Sequence, residues 1–155
     1  MDLAGKVVVI TGGFGALGAT LADVVSEHGA QVALIDKASA MGSGLTARAL
    51  LLPGVDLSNE PETAAAIDEV AKQFGAINAL INVAGTFRWE KLESGSVDTW
   101  DLMYKINLRT AVVASRAALP YLFKRGDGRI VNIGAGAAAR AGLGMGERVS
   151  SLGLR

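Results

Sequence analysis

The chain has 155 residues, half of them apolar, and its 15 basic and 15 acidic side chains give a formal net charge of zero. This length and apolar content predict one domain with a well-buried core, and the neutral charge argues against a nucleic-acid partner. The absence of cysteine excludes disulfides and thiolate chemistry and, with no signal-peptide pattern at the N-terminus, leads us to expect a cytoplasmic protein.

Five short apolar runs predict β-strands. They are apolar on both faces, which is typical of strands that helices cover on both sides of a parallel sheet. None approaches the roughly 20 residues that span a bilayer, so we expect no membrane partner. In chain order the predicted strands are Lys6–Thr11, Gln31–Ile35, Leu50–Val55, Asn78–Asn82 and Arg129–Gly134.

Three segments between these runs have helical patterns. Leu17–His28 ends before a glycine, Glu62–Phe74 begins after an asparagine cap and a first-turn proline, and Val97–Lys124 is long enough for two consecutive helices. The small residues of Lys37–Arg48 predict a loop or a poorly formed helix. The only histidine, His28, lies in a predicted helix and is better explained as a surface residue than as a ligand, so we expect no metal site.

The alternation of strands and helices predicts the architecture. It indicates an α/β fold with right-handed crossovers, in which residues 1–155 form a single dinucleotide-binding domain. We predict a three-layer, Rossmann-type parallel sheet in the order 3-2-1-4-5, with helices on both faces. Its ligand would lie over the carboxyl ends of the strands, at the switch between strands 1 and 4.

A glycine-rich segment, Thr11-Gly12-Gly13-Phe14-Gly15-Ala16-Leu17-Gly18, joins the first strand to the first helix, and we call it the glycine turn. Glycines in such a turn leave backbone N–H groups open to a diphosphate, and the positive end of the helix dipole adds attraction. The alternative is that they only tighten the turn. The cofactor-binding candidates here are Gly12, Gly13, Phe14, Gly15, Leu17 and Gly18.

Asp36 ends the second strand and is the next candidate. Its carboxylate can accept hydrogen bonds from both adenosine ribose hydroxyls, and it would repel a 2′-phosphate by about 4 kcal/mol at about 4 Å and an effective dielectric of about 20. The neighbouring base, Lys37, could reach such a phosphate, but we favour NAD over NADP as the cofactor. The alternative for Asp36 is an ordinary aspartate at a strand-end turn.

Several motifs occur together in a recognisable order. They are Thr-Gly-x-x-x-Ala-x-Gly at 11–18, Asp56-Leu57, Asn82-Val83-Ala84-Gly85, Asn107 and Ile130-Val131-Asn132-Ile133. With these motifs the chain resembles the short-chain dehydrogenase/reductase family from about residue 3 to about residue 146, with mild departures at Ala16 and Val83. The resemblance implies an oxidoreductase that transfers hydride between an alcohol or carbonyl substrate and a nicotinamide.

The resemblance also implies roles for particular residues. Asp56 and Leu57 would flank the adenine, and Asn82, Ala84 and Gly85 would line the nicotinamide ribose side. Ile133 is a further cofactor-binding candidate. Asn107 would hold a water in a proton relay and is the one catalytic candidate. The alternatives are that the Asn-Val-Ala-Gly motif simply ends a strand, and that Asn107 is an ordinary residue inside a helix.

The family's remaining catalytic residues are missing from the positions where its spacing would place them. Ala135 replaces the serine, Arg148 the tyrosine and Leu152 the lysine that lowers the tyrosine pKa. Tyr104 and Tyr121 have no lysine four residues later. The resemblance therefore implies a catalytically impaired chain.

The family pattern fades after Gly146, which leads us to expect a domain incomplete at its C-terminus. A truncated or frameshifted product is favoured over an expressed fragment or a natural protein that uses the half-domain differently. The last strand, Arg129–Gly134, would then lie at an exposed sheet edge, so we expect self-association. Two alternatives to an enzyme remain open: a nucleotide-binding module without turnover, and an interaction module that pairs through this edge.

Overall fold

The computed structural model describes residues 3–39 and 49–135. Within these residues, five parallel strands form one sheet in the order β3-β2-β1-β4-β5, which confirms the predicted topology. The bounds are β1 Val7–Thr11, β2 Gln31–Ile35, β3 Leu50–Leu52, β4 Ala79–Asn82 and β5 Arg129–Asn132.

Four strands are shorter than predicted: β1 and β4 each begin one residue later, and β3 and β5 end earlier. β3 ends at Leu52 rather than Val55, because Pro53 has no N–H to donate and Gly54 turns the chain at a φ of +75°. β5 ends at Asn132, although the Ile133 N–H still donates to the Asn82 carbonyl at 3.0 Å. Most of the predicted loop after β2 lies in residues 40–48, outside the described part of the chain.

The helices are α1 Ala16–Glu27, α2 Glu60–Phe74, α3 Val97–Tyr104 and α4 Thr110–Arg125. Asn59 caps α2 by accepting from the Glu62 N–H, as predicted. A π-helical segment, Lys105–Arg109, joins α3 to α4 within the range where the sequence predicted two consecutive helices. None of the helices in the described ranges is long and apolar enough to cross a membrane.

The sheet separates two apolar clusters, which explains why its strands are apolar on both faces. On one face Val7 and Val9 of β1 pack with residues of α2 and α4, including Ile67 of α2. On the other face Val8 and Ile10 pack with residues that include Ala22 of α1. Helices therefore cover the sheet on both sides, in three layers.

The carboxyl ends of β1, β2 and β4 lie side by side because β1 is central. Its last residue, Thr11, is level with Ile35 of β2 and with Asn82 of β4. The crossover through α1 leads to one side of β1 and the chain later returns to the other side. This is the switch point where α/β folds bind ligands.

Candidate functional site

An open cleft of about 470 Å³ lies at this switch point. The glycine turn, the segment that follows β3, the turn after β4 and the helical residues around Lys105 form its walls. Most sequence-predicted candidates line it, namely Gly12, Gly15, Leu17, Gly18, Asp36, Lys37, Asp56, Leu57, Ala84 and Gly85. Five lie outside its lining: Gly13, Phe14, Asn82, Asn107 and Ile133.

The glycines of the glycine turn have different structural roles. At Gly12, whose φ is +64°, a Cβ would lie 2.8 Å from backbone atoms of Ala84, so this glycine lets two turns pass closely. A Cβ on Gly13 would meet the Leu34 side chain at 2.7 Å, and one on Gly18 would lie 2.8 Å from the Gly13 Cα. These three positions therefore serve close backbone packing.

Gly15 is the exception, because its free side is open. A Cβ there would have the Gly12 carbonyl oxygen as its nearest neighbour, at an ordinary contact of 3.4 Å. Gly15 is exposed and caps α1, with no side chain bonded to the first N–H groups of that helix and no acidic residue in its first turn. The Gly15 N–H donates to the Gly12 carbonyl at 3.2 Å, but among the described residues no side chain accepts from the first-turn N–H groups of α1, so the positive end of this helix faces the cleft.

The Asp36 carboxylate is fixed at the rim of the cleft. One oxygen accepts from the Phe14 N–H and the other from the Ala38 N–H, both at 3.0 Å. Phe14 thus contributes its backbone amide to the site, while its side chain packs against the apolar cluster that contains Val8, Ile10 and Ala22. Each carboxylate oxygen keeps a free lone pair, so Asp36 can accept further hydrogen bonds.

Asp56 and Lys37 form an ion pair on the wall of the cleft. Asp56 Oδ1 accepts from the Ser58 hydroxyl at 2.6 Å and from the Ser58 N–H at 3.0 Å, while Oδ2 accepts from Lys37 Nζ at 2.9 Å. The hydrogen bond from the Ser58 hydroxyl, followed by that from Lys37 and then that from the Ser58 N–H, holds the pKa of Asp56 well below its usual range. The hydrogen bond to Asp56 raises the pKa of Lys37.

The lowered pKa of Asp56 predicts how stability depends on pH. A carboxyl whose pKa is lower in the folded chain stabilises the fold above its unfolded value, near 3.8, and loses that effect as the pH falls toward the folded value. We expect the free energy of unfolding of the native chain to exceed that of Asp56→Asn at pH 6, and the difference to shrink below about pH 4. Urea unfolding of both proteins from pH 7 to pH 3 measures this, and a difference independent of pH would contradict it.

Thr11 organises the turn after β4. Its hydroxyl accepts from the Val83 and Ala84 N–H groups, at 3.2 and 3.3 Å, and can donate to Asn82 Oδ1 at 3.5 Å. The hydroxyl therefore fixes the wall of the cleft at Ala84.

Asn82 is buried and lies outside the cleft lining. Its Nδ2 donates to Asn132 Oδ1 at 2.9 Å and to Ser115 Oγ at 3.2 Å, which ties β4 to β5 and to α4. In this structure Asn82 holds the strand ends together, and the predicted ribose contact stays a prediction.

Removing this amide should destabilise the fold. In Asn82→Ala, the half-buried Asn132 and the buried Thr11 lose hydrogen bonds, so we expect the free energy of unfolding to fall by about 2 kcal/mol. Ser115→Ala removes one bond of the same group and should cost about half as much. Chemical denaturation compares the two variants, and equal losses would show that the network does not act as described.

Asn107 lies in the π-helical segment beside the turn after β4. Its Oδ1 accepts from the Thr86 N–H at 2.8 Å, and a Cβ on Gly85 would lie 3.1 Å from that oxygen. Its Nδ2 is 3.8 Å from Met103 Sδ. The side chain thus holds the Gly85–Thr86 backbone in place, and its predicted part in a proton relay stays a prediction.

Ile133 and Ala135 follow β5. Ile133 is 46% exposed and lies outside the cleft lining, and Ala135, at the position of the family serine, is exposed. The other positions that bear on catalysis, Arg148 and Leu152, lie outside the described residues.

Some residues of the site carried no usable sequence signal. Ser115 is an isolated serine in a helix, and the helical residues that line the cleft belong to no recognisable motif. Thr11 stands in the glycine motif, and Ser58 lies two residues after Asp56, which is the spacing of an aspartate turn, so Thr11 and Ser58 could have been chosen. The cleft-lining residues not predicted are Ala16, Val55, Ser58, Val83, Leu102, Lys105, Ile106 and Thr110.

The chain is similar to known oxidoreductases in sequence. A 2,5-dichloro-2,5-cyclohexadiene-1,4-diol dehydrogenase, LinX of Sphingobium indicum, is 34% identical over 137 residues, which cover 84% of this chain and 55% of that protein. An uncharacterised oxidoreductase of Staphylococcus haemolyticus is 28% identical over 136 residues, covering 85% of this chain and 59% of that protein. The chain thus spans little more than half the length of these relatives.

The chain is also similar in structure to solved dehydrogenases. The ligand-free aldohexose dehydrogenase of Thermoplasma acidophilum matches 97% of this chain and 57% of its own, with a TM-score of 0.84 and 28% identity. A short-chain dehydrogenase/reductase mutant of Serratia marcescens matches 97% of this chain and 67% of its own, with a TM-score of 0.83 and 29% identity. The family model described as short chain dehydrogenase matches residues 6–147. The chain belongs to the short-chain dehydrogenase family.

Proposed function

We propose that the cleft binds NAD(H). The observation that carries the proposal is the Asp36 carboxylate, which two backbone N–H groups hold at the rim of the cleft that Gly15 and the start of α1 also line. Members of the family use nicotinamide dinucleotides, so the cofactor class follows from membership. The choice of NAD rests on the residues of this chain.

The diphosphate would lie at Gly15 and the N-terminus of α1. The N–H groups there have no side-chain cap, and the missing Cβ leaves room for close approach. The helix dipole contributes roughly half a positive charge at this end, which favours an anion.

The adenosine ribose would lie at Asp36, whose free lone pairs suit the 2′- and 3′-hydroxyls. A 2′-phosphate at the same place would meet a fixed negative charge, with a repulsion of about 4 kcal/mol at about 4 Å and an effective dielectric of about 20. This contrast supports NAD rather than NADP.

The other candidates would hold the two ends of the dinucleotide. Asp56 and Leu57 line the cleft on the adenine side, and Asp56 Oδ2 keeps a lone pair for the exocyclic amine. Ala84 and Gly85 line the opposite wall, beside the proposed nicotinamide ribose. Asn107 would support that wall through Thr86.

The reaction implied is hydride transfer between a small alcohol or carbonyl substrate and the nicotinamide, which supplies or accepts the hydride when bound. Oxidation of an alcohol also needs a group that takes the hydroxyl proton. Ala135, Arg148 and Leu152 stand at the family's serine, tyrosine and lysine positions. Neither Ala135 nor Leu152 can exchange a proton, and Arg148 stays charged, so we propose that catalysis is impaired.

Titration with NADH tests the binding proposal. We expect one saturable site, seen as a change in NADH fluorescence, with NAD displacing NADH more effectively than NADP does. No saturable binding would contradict the proposal. NADH consumption with a panel of ketones tests the catalytic part, and sustained turnover by the purified chain would show that catalysis is intact.

A second candidate function, self-association, is favoured by the surface around β5. In the described sheet β5 lies at an edge, and Val131 and Ile133 are each 46% exposed. A groove of about 560 Å³ runs beside this strand, and Val8 and Ile81 contribute to its apolar wall. Exposed edges and apolar faces of this kind pair with other chains.

Sedimentation velocity distinguishes this candidate. Self-association through β5 predicts a concentration-dependent dimer that Val131→Lys converts to monomer, because an edge lysine opposes strand pairing. A monomer at all concentrations would exclude it and leave nucleotide binding as the proposed function.

A further inference from the structure

Lys37 and Asp56 come together because the pairing of β2 with β3 continues beyond the strands. The Asp36 N–H donates to the Leu52 carbonyl at 3.2 Å, and the Val55 N–H donates to the Asp36 carbonyl at 3.0 Å. The residues that follow, Lys37 and Asp56, therefore lie side by side on the cleft wall, with Nζ and Oδ2 2.9 Å apart.

The side chains of Asp56 and Lys37 differ in how firmly the surrounding structure holds them. Asp56 is anchored, because Oδ1 accepts both the N–H and the hydroxyl of Ser58 and its own N–H donates to Glu62 Oε2 at 2.9 Å. Lys37 is a long side chain that is 75% exposed. The anchored carboxylate therefore decides where the lysine ammonium lies.

We propose that Asp56 is a specificity-determining residue that acts through Lys37: by holding the ammonium in an ion pair, it withholds that charge from a 2′-phosphate and strengthens the preference for NAD over NADP. This inference rests on the proposed NAD site. It adds a second determinant to Asp36, and that determinant is 20 residues further along the chain.

The charges around the proposed adenosine ribose position at Asp36 support the inference. Among the described residues, Asp36, Asp56 and Glu62 bring three negative charges close to Lys37, whose single positive charge Asp56 already neutralises. Replacing Asp56 by asparagine removes one negative charge and frees the ammonium. Lys37 directly follows Asp36, so the freed ammonium can turn toward a phosphate on the 2′-oxygen.

The comparison of two dinucleotides isolates this effect. NAD and NADP share the adenine, both riboses and the diphosphate, so any loss of adenine contacts in Asp56→Asn weakens both equally and cancels in their ratio. Only the 2′-phosphate responds to the position of Lys37. Lys105 also lines the cleft, but it is unchanged in every variant and cancels in the same way.

The experiment measures Kd for NAD and NADP by displacement of NADH, in the native chain, Asp56→Asn, Lys37→Met and the double variant. We expect Asp56→Asn to shift the Kd ratio toward NADP by about three- to tenfold, the range expected for a partly exposed charge pair. Lys37→Met alone should change the ratio less than about twofold, and the double variant should lose the shift. In Asp56→Asn, added salt should weaken NADP binding more than NAD binding.

Asparagine keeps an oxygen that can accept from Ser58, so the turn should persist, and the melting temperature verifies it. Should Asp56→Asn fail to fold, Asp56→Ser gives the same expectation, because its hydroxyl can also accept from the Ser58 N–H. An unchanged ratio of the two Kd values in folded Asp56→Asn, or a shift of that ratio that survives in the double variant, would overturn this inference but not the proposed function. A native chain that binds neither dinucleotide would overturn the proposed function and the inference with it.

Discussion

Gly18→Ala is expected to lower the free energy of unfolding by about 3 kcal/mol and to abolish NADH binding. Its Cβ would collide with the Gly12 carbonyl oxygen and would lie 2.8 Å from the Gly13 Cα, and both of these are backbone atoms. Backbone cannot rotate aside as a side chain can, so the first turn of α1 must move away from β1. Chemical denaturation and NADH titration measure the two effects.

Gly15→Ala is the matched control within the same turn. Its Cβ meets the Gly12 carbonyl oxygen at 3.4 Å, and Gly15 has a φ of −75°, which any residue adopts. We expect the stability to change by less than about 0.5 kcal/mol, while the Kd for NADH rises at least about tenfold because the methyl group stands where the diphosphate would approach. If both variants were strongly destabilised, or if Gly15→Ala bound NADH normally, the proposed roles of Gly18 in packing and of Gly15 in ligand contact would be wrong.

Asp36→Asn should move the affinities for the two dinucleotides in opposite directions. The Kd for NAD should rise about 30- to 100-fold, because two ribose hydroxyls lose a charged acceptor. The Kd for NADP should fall by at least about tenfold, because the repulsion of about 4 kcal/mol between Asp36 and the 2′-phosphate disappears and outweighs the weakened hydrogen bond to the 3′-hydroxyl.

Opposite shifts cannot arise from a general loss of folded protein, so Asp36→Asn contains its own check. Glu27→Gln removes an equal charge from an exposed position at the end of α1, away from the cleft, and should leave both Kd values unchanged. Two parallel losses of affinity in Asp36→Asn would mean that Asp36 supports the fold through Phe14 and Ala38 but does not select the cofactor.

Local sequence rules predicted most of the fold. The apolar runs placed all five strands, because burial on both faces leaves no polar alternation to confuse the pattern. The errors lie at element ends and junctions. β3 stopped early because of Pro53-Gly54, and the π-helical segment around Asn107 has no signature that distinguishes it from ordinary helix.

The candidate site was predictable only in part. Glycine spacing and the position of Asp36 located the cleft, since both follow from the strand–turn–helix order. Which glycines pack against the protein and which face the ligand was not predictable, because whether Gly13 contacts Leu34 or a ligand depends on how α1 packs on the sheet. The pairing of Lys37 with Asp56 likewise depends on the register of β2 against β3, which sequence spacing alone does not give.

A crystal structure of the chain with NAD is the most direct measurement of the central claim. We predict the diphosphate against the N–H groups at Gly15 and the start of α1, with the hydroxyls of the adenosine ribose within hydrogen-bond distance of Asp36. Crystals grown at saturating NAD in which the cleft holds no nucleotide, or in which the ribose lies away from Asp36, would contradict the account.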